Sequence, residues 1–152
     1  MGDVSLFRGA ELTMKPVIQE EATGCGIAAV AAIAGIAYAE ARTVANQMGI
    51  HADNPALWSD TTSVRRLLNQ FGYAAAKEPT PFVDWADLPD RALIALKWHL
   101  EQGKPFWHWA VFVRSDKATY VLDSKKTLKT HTRTDFGRMH PKWFTAVCRR
   151  DE

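Results

Sequence analysis

The stretch that decides the fold of this chain reads QEEATGCGIAAVAAIA, residues 19–34. Apolar residues follow Cys25 on every side of the predicted helix, as is typical of a helix buried in a core. Cys25 is therefore predicted at the first turn of a central helix, where unpaired backbone N–H groups and the helix dipole favour a thiolate. Gln19 can bring a side-chain amide to the same place. A nucleophile with an oxyanion donor beside it indicates acyl transfer.

The composition predicts one domain, residues 1–152, with 47% hydrophobic residues for its core. The 19 basic and 17 acidic residues are too balanced to indicate nucleic acid or an anionic membrane surface as a partner. The longest apolar run, residues 27–39, is too short to span a bilayer, and residues 1–6 lack the pattern of a signal peptide. We therefore expect a cytoplasmic protein with no membrane-spanning segment.

The chain has two cysteines, Cys25 and Cys148. They are too few for a disulfide scaffold or a zinc site, although one bridge between them is an open alternative. Cys148 is predicted to be a small buried residue on a C-terminal strand. No metal or organic cofactor is expected.

The first half of the chain has helical patterns. Residues 1–11 are predicted to be a loosely organised lead-in. A second helix is predicted over residues 38–48, and a third over residues 62–71 with Thr61 or Thr62 as its cap.

The second half has strand patterns. Residues 92–98 suit a buried strand or a short helix, and the flanking proline and glycine favour a strand. Residues 109–114 and 118–123 are rich in β-branched and aromatic residues and predict a hairpin. Residues 128–132 and 143–148 predict two further strands. Helices followed by antiparallel strands indicate an α+β fold, with the sheet of the second half packed on the helices.

A cysteine nucleophile needs a base, and the base needs an orienting partner. If the hairpin loop is residues 115–116, Arg114 pairs with Lys117, and His108 falls opposite Asp123 on one face. Directly opposed residues have Cβ atoms about 4.5–5.5 Å apart, which lets an imidazole hydrogen-bond a carboxylate. A loop one residue longer would shift this register.

The other titratable residues have simpler explanations. His51 and His140 lie in loop-like sequence, and His131 has no opposed carboxylate that can be identified. Asp116 and Asp135 are interpreted as turn residues. His108 is therefore the preferred base among the five histidines.

Four segments resemble the papain-like cysteine peptidase fold, and more narrowly the bacterial C39 peptidase family and its stand-alone C39-like relatives. The segments, in the order of the family, are residues 19–29, 61–73, 108–113 and 120–124. The resemblance implies that Cys25 is the nucleophile, His108 the general base and acid, and Asp123 the orienting group. It also implies an oxyanion hole formed by the Gln19 side chain and the Cys25 backbone N–H.

The resemblance further implies hydrolysis of a peptide bond in a peptide or protein substrate, often after a Gly-Gly leader. Trp107 and Trp109 flank His108, and Trp58 precedes the third helix; these rings either shape a narrow groove or anchor the core. The sequence departs from the family where Asp123 is followed by Ser124 in place of proline, and it carries no transporter domain.

Three alternatives stay open at this point. The same residues suit a transglutaminase-like or deamidating acyl transferase on a related fold. A catalytically silent C39-like domain that only binds a peptide is the second alternative, and a toxin or effector, without direct support in the sequence, is the third. The sequence does not indicate an oligomeric state.

Overall fold

The computed structural model describes residues 14–151, so the predicted lead-in lies outside the described residues. Within this part the chain forms three α-helices, three single-turn 3-10 helices and seven strands. The α-helices are α1 (Cys25–Ala34), α2 (Tyr38–Gln47) and α3 (Thr62–Gln70). The 3-10 helices are Pro55–Leu57, Trp85–Asp87 and Phe136–Arg138.

The strands form an antiparallel sheet that packs on the helices. They are β1 (Tyr73–Ala75), β2 (Thr80–Pro81), β3 (Arg91–Glu101), β4 (Lys104–Arg114), β5 (Thr119–Leu122), β6 (Thr132–Arg133) and β7 (Trp143–Arg149). Their order is β1-β7-β3-β4-β5-β6, with β2 also paired to β7. The predicted α+β architecture is confirmed.

The helix α1 lies at the centre of the fold. Its residues from Gly26 to Ile33 are buried, and it packs against β4, α2 and α3. Small alanine side chains let these neighbours approach closely, and Gly35 ends the helix with φ 71°. In residues 14–151 no single helix is long and apolar enough to cross a membrane, although α1 and α2 together, bent by 113°, reach that length and composition.

The predicted cap of α3 is confirmed in its position, but not in its hydrogen bond. Thr61 occupies the N-cap position but its side chain makes no capping hydrogen bond. Asp60 instead accepts a hydrogen bond from the Thr62 N–H at 2.9 Å. A short carboxylate one residue earlier thus satisfies a different free donor of the first turn.

The central hairpin, β3 and β4, is longer than predicted. The pattern of Gly103, Lys104 and Pro105 reads as a break, yet Gln102 and Gly103 form a tight turn with φ 53° and 81°, and both strands run to it. The register shifts between Leu96 and His99. This bulge lies on the part of the hairpin that reaches the candidate site.

The predicted register of β4 and β5 is wrong by two residues. Arg114 pairs with Thr119 rather than Lys117, because the loop has four residues closed by the Ser115 hydroxyl, which accepts hydrogen bonds from two backbone N–H groups at 3.3 and 3.2 Å. A shift of two residues keeps every side chain on its face of the sheet. His108 and Asp123 therefore still share a face.

Two strand predictions need correction. Residues 128–131 do not belong to a strand, because the chain turns there and pairs with β5 only at Thr132 and Arg133. Cys148 is exposed rather than buried, since the alternation along β7 places Val147 in the core and Cys148 outside. Both cysteines are free.

Candidate active site

The candidate nucleophile is the first residue of α1. Cys25 is half-buried, and its Sγ accepts a hydrogen bond from the Trp109 backbone N–H at 3.5 Å. The preceding Gly24, at the N-cap, has no side chain with which to cap the helix. The first-turn amides of α1 thus keep their electrostatic effect on this end of the helix.

His108 lies between Cys25 and Asp123. Its Nε2 lies 2.6 Å from Asp123 Oδ1, and its side chain lines the same cavity as Cys25. Burial disfavours the imidazolium, but the hydrogen bond to Asp123 and the proximity of Cys25, with their negative charge, raise the pKa of His108 to about 9. The imidazole is therefore protonated at neutral pH.

Asp123 is buried and ionised, with 2% of its side chain exposed. Oδ1 accepts hydrogen bonds from His108 and from the Lys125 backbone N–H at 3.2 Å, and Oδ2 accepts one from Arg133 Nη1 at 3.0 Å. Burial opposes ionisation, yet the bonds from His108, Lys125 and Arg133 lower the pKa of Asp123 to about 2. The Asp123 carboxylate consequently accepts a hydrogen bond from the His108 Nε2–H, and His108 Nδ1 stays available to the Cys25 thiol.

Gln19 is held in the loop before α1. Its side-chain oxygen accepts a hydrogen bond from the Ser124 hydroxyl at 2.8 Å, and its backbone N–H donates to the Ser124 carbonyl at 3.0 Å. Its Nε2 donates to the carbonyls of Glu21 and Ala22 at 3.0 and 2.9 Å. Both amide hydrogens are thus engaged, and the oxyanion role of Gln19 stays a prediction.

A cavity of about 450 Å³ opens beside Cys25 and His108. All three predicted groove tryptophans line it: Trp58, Trp107 and Trp109. Trp109 is also a core residue, 2% exposed. Their role toward a substrate stays a prediction.

The two flanking tryptophans form a cluster with a third ring. Trp107, Trp109 and Trp143 pack edge to face, with ring centroids 4.9–5.4 Å apart. The indole N–H groups of Trp107 and Trp109 are buried without a hydrogen-bond partner among residues 14–151. Such rings anchor the wall of the cavity on the sheet side.

Trp58 covers the start of α1. Its indole N–H donates to the His51 carbonyl at 3.0 Å, which fixes the ring over Gly26. A methyl group at Gly26 would approach two ring carbons to 3.0 and 3.1 Å and a third even more closely. The close packing of the Trp58 ring therefore requires glycine at position 26.

Gly26→Ala is expected to destabilise the protein by about 1–3 kcal/mol, because the rigid, buried ring of Trp58 must shift. Urea unfolding measures the loss. Gly137→Ala is the matched control, since nothing lies within 4 Å of the added methyl there. Equal stability of the two variants would contradict the close packing at Gly26.

Three site residues were not identified from the sequence. Arg133 contacts Asp123, and Asp135, predicted as a turn residue, binds Arg133 through both carboxylate oxygens at 3.0 and 2.8 Å. Lys97 lines the cavity from the bulge in β3 with φ 52°, and the proximity of Lys125 lowers its pKa. A correct placement of β6 would have indicated Arg133; no local signal indicates the bulge.

No group of three or more potential metal ligands lies together in the part of the chain that the structure describes. The polar groups that the structure places at this site include the Cys25 thiol, the His108 imidazole, the Asp123 carboxylate and the Gln19 amide.

This α+β fold is shared with a protease domain. One similar solved structure is a double glycine motif protease from an AMS/PCAT transporter in complex with the leader peptide, with TM-score 0.58 and 17% sequence identity over 90% of this chain and 91% of that chain. At that identity the likeness shows a common fold. No protein-family model matches the chain, and no curated protein matches it significantly.

Proposed function

We propose that this chain is a cysteine peptidase of the papain-like, C39-like type, with Cys25 as nucleophile, His108 as general base and acid, and Asp123 as the orienting group. The observation that carries the proposal is that His108 hydrogen-bonds a buried, ionised Asp123 and lines the same cavity as the Cys25 thiol, which contributes to its raised pKa. Nucleophile, base and orienting group in this order are what thiol-dependent acyl transfer requires.

The proposed reaction follows from the roles of these three residues. The Cys25 thiolate attacks the substrate carbonyl, and the His108 imidazolium gives its proton to the leaving amine. Water then hydrolyses the thioester, with His108 as base. The Cys25 backbone N–H and the Gln19 amide stabilise the oxyanion, each by about 2.7–4 kcal/mol. For Gln19 to take this role, one of its amide hydrogens must leave the carbonyl of Glu21 or Ala22, or be shared between that carbonyl and the oxyanion.

A peptide or protein is the proposed substrate. The aromatic cavity beside Cys25 is large enough for a few side chains, and the protease of similar fold was solved with a leader peptide. A groove narrowed by Trp58, Trp107 and Trp109 suits small residues next to the cleaved bond.

The Cys25–His108 pair can be tested before any substrate is known. We expect iodoacetamide to alkylate Cys25 rapidly at pH 6, and His108→Ala to slow this labelling about tenfold or more, because the imidazolium stabilises the reactive thiolate. Mass spectrometry of the Cys25 peptide gives the rate.

His99→Ala is the matched control for this labelling. His99 lines the same cavity but pairs with Glu101 at 2.7 Å, so its removal is expected to leave the rate unchanged. Equal labelling of wild type and His108→Ala would contradict the proposed pair. Cleavage of a peptide library, with and without an added primary amine, then distinguishes hydrolysis from acyl transfer to an amine.

One observation favours a second function, a catalytically silent peptide-binding domain. Both amide hydrogens of Gln19 are engaged by carbonyls, so the proposed oxyanion hole has one free donor fewer. Slow, ordinary labelling of Cys25 together with binding of a peptide would support this function in place of catalysis.

A further inference from the structure

The carboxylate behind His108 has a second partner that the peptidase proposal does not use. Asp123 Oδ1 faces His108, whereas Oδ2 accepts a hydrogen bond from Arg133 Nη1 at 3.0 Å. Arg133 is 17% exposed and lies on β6, opposite Val121 of β5. The two oxygens of one buried carboxylate are therefore committed to different elements of the fold.

Arg133 is itself held from its other side. Its Nε and Nη2 donate to the two oxygens of Asp135 at 3.0 and 2.8 Å. A planar guanidinium bound at two edges cannot rotate without breaking one of these contacts. Its hydrogen bond to Asp123 thus has a fixed direction.

We propose that Arg133, oriented by Asp135, is a positioning residue that fixes the Asp123 carboxylate toward His108. This inference rests on the proposed function, because it concerns the same three groups. Without Arg133, Oδ2 would be buried with no donor, and the carboxylate would turn toward another partner at the expense of its bond to His108.

A purely electrostatic role makes the opposite prediction. A positive charge behind Asp123 repels the imidazolium, so its removal would raise the pKa of His108. Asp135 offsets most of that charge at contact distance, which leaves the directional hydrogen bond as the larger effect. The sign of the change in the pKa of His108 therefore distinguishes a positioning role of Arg133 from a purely electrostatic one.

Other charged groups also face this series. They are Cys25 at the start of α1, Lys97 on the β3 bulge and Lys125 after β5. None of them changes in the variants below, so their effect on His108 is common to all.

The test is an NMR titration of His108 in the full chain, with Cys25 alkylation at pH 7 as a second readout. For Arg133→Met we expect the proton affinity of His108 and the alkylation rate each to fall about tenfold, the effect of one charge-assisted hydrogen bond. Arg133→Lys keeps the positive charge and can still donate a hydrogen bond to Asp123. It should therefore recover part of the proton affinity of His108 and part of the alkylation rate. Asp135→Asn, at a 42% exposed side chain, should keep the fold and give a smaller fall of about threefold.

Arg114→Met is the control for a merely structural arginine. Arg114 donates to the Leu88 and Trp85 carbonyls at 2.6 and 3.0 Å, away from the site, and its loss should lower the melting temperature without changing His108. A raised or unchanged proton affinity in Arg133→Met, or an equal fall in Arg114→Met, would overturn the positioning role. A wild-type His108 that titrates near 6.5 would instead overturn the proposed function, and the inference with it.

Discussion

Cys25→Ala is expected to abolish peptide cleavage, with a rate loss of at least about 10⁴-fold. No other group of the site can form the thioester, so the remaining residues would act only on water. The fold should persist, because alanine favours a helix and the half-buried Sγ accepts a single hydrogen bond, at 3.5 Å. Mass spectrometry of a peptide library that includes Gly-Gly sequences measures the loss, and circular dichroism checks the fold.

Cys148→Ala is the matched control, since Cys148 is an exposed cysteine on β7. It should cleave peptides at the wild-type rate. Turnover that survives in Cys25→Ala and is lost in Cys148→Ala would reject Cys25 as the nucleophile.

Asp123→Asn is expected to lower kcat about 10²–10⁴-fold and the free energy of unfolding by about 2–4 kcal/mol. An amide accepts from His108 less strongly than a carboxylate does, and it leaves the half-buried Arg133 with Asp135 as its remaining charged partner. The pKa of His108 should fall from about 9 toward its ordinary value. Peptide cleavage and urea unfolding measure the two losses.

We also expect the difference in unfolding free energy between wild type and Asp123→Asn to depend on pH. The raised pKa of His108 means that its stabilisation is complete below about 6.5 and is lost as pH rises through about 9. The lowered pKa of Asp123 means that its stabilisation is present above 3.8 and is lost as pH falls through about 2. The difference in unfolding free energy between wild type and Asp123→Asn should thus be largest between pH 4 and 6.5 and should decrease above pH 9.

Asp116→Asn serves as the control, because this carboxylate is exposed in the loop between β4 and β5. Its unfolding free energy should follow that of the wild type within about 0.5 kcal/mol at every pH. A constant gap between wild type and Asp123→Asn from pH 4 to pH 10 would contradict a charged His108–Asp123 pair.

The sequence predicts the central part of the site because its signals are local. The alanine-rich, all-apolar run after Cys25 favours a buried helix, and this places the thiol at the helix start. The predicted register of β4 and β5 is wrong by two residues. It still places His108 and Asp123 on one face of the sheet, because an error of two residues preserves the face of a strand.

The rest of the site depends on contacts between distant parts of the chain. Arg133 lies on a two-residue strand, too short to carry a periodic pattern, and only its pairing with β5 brings it to Asp123. Gln19 and Ser124 meet across 105 residues, so no window of sequence reveals their contact. The bulge at Lys97 follows from the fit of β3 to β4 rather than from its own residues.

The adjacency of Asp123 and Ser124 has a mechanical consequence. One residue holds the imidazole and the next holds the Gln19 amide, so a single peptide unit carries both supports of the reacting centre. The backbone of Asp123 is anchored to the residue before β6, because its N–H donates to the His131 carbonyl at 2.8 Å. A displacement of β6 would therefore move the supports of His108 and Gln19 together, so the proton transfer and oxyanion stabilisation that we propose for them could not be changed separately from that side of the sheet.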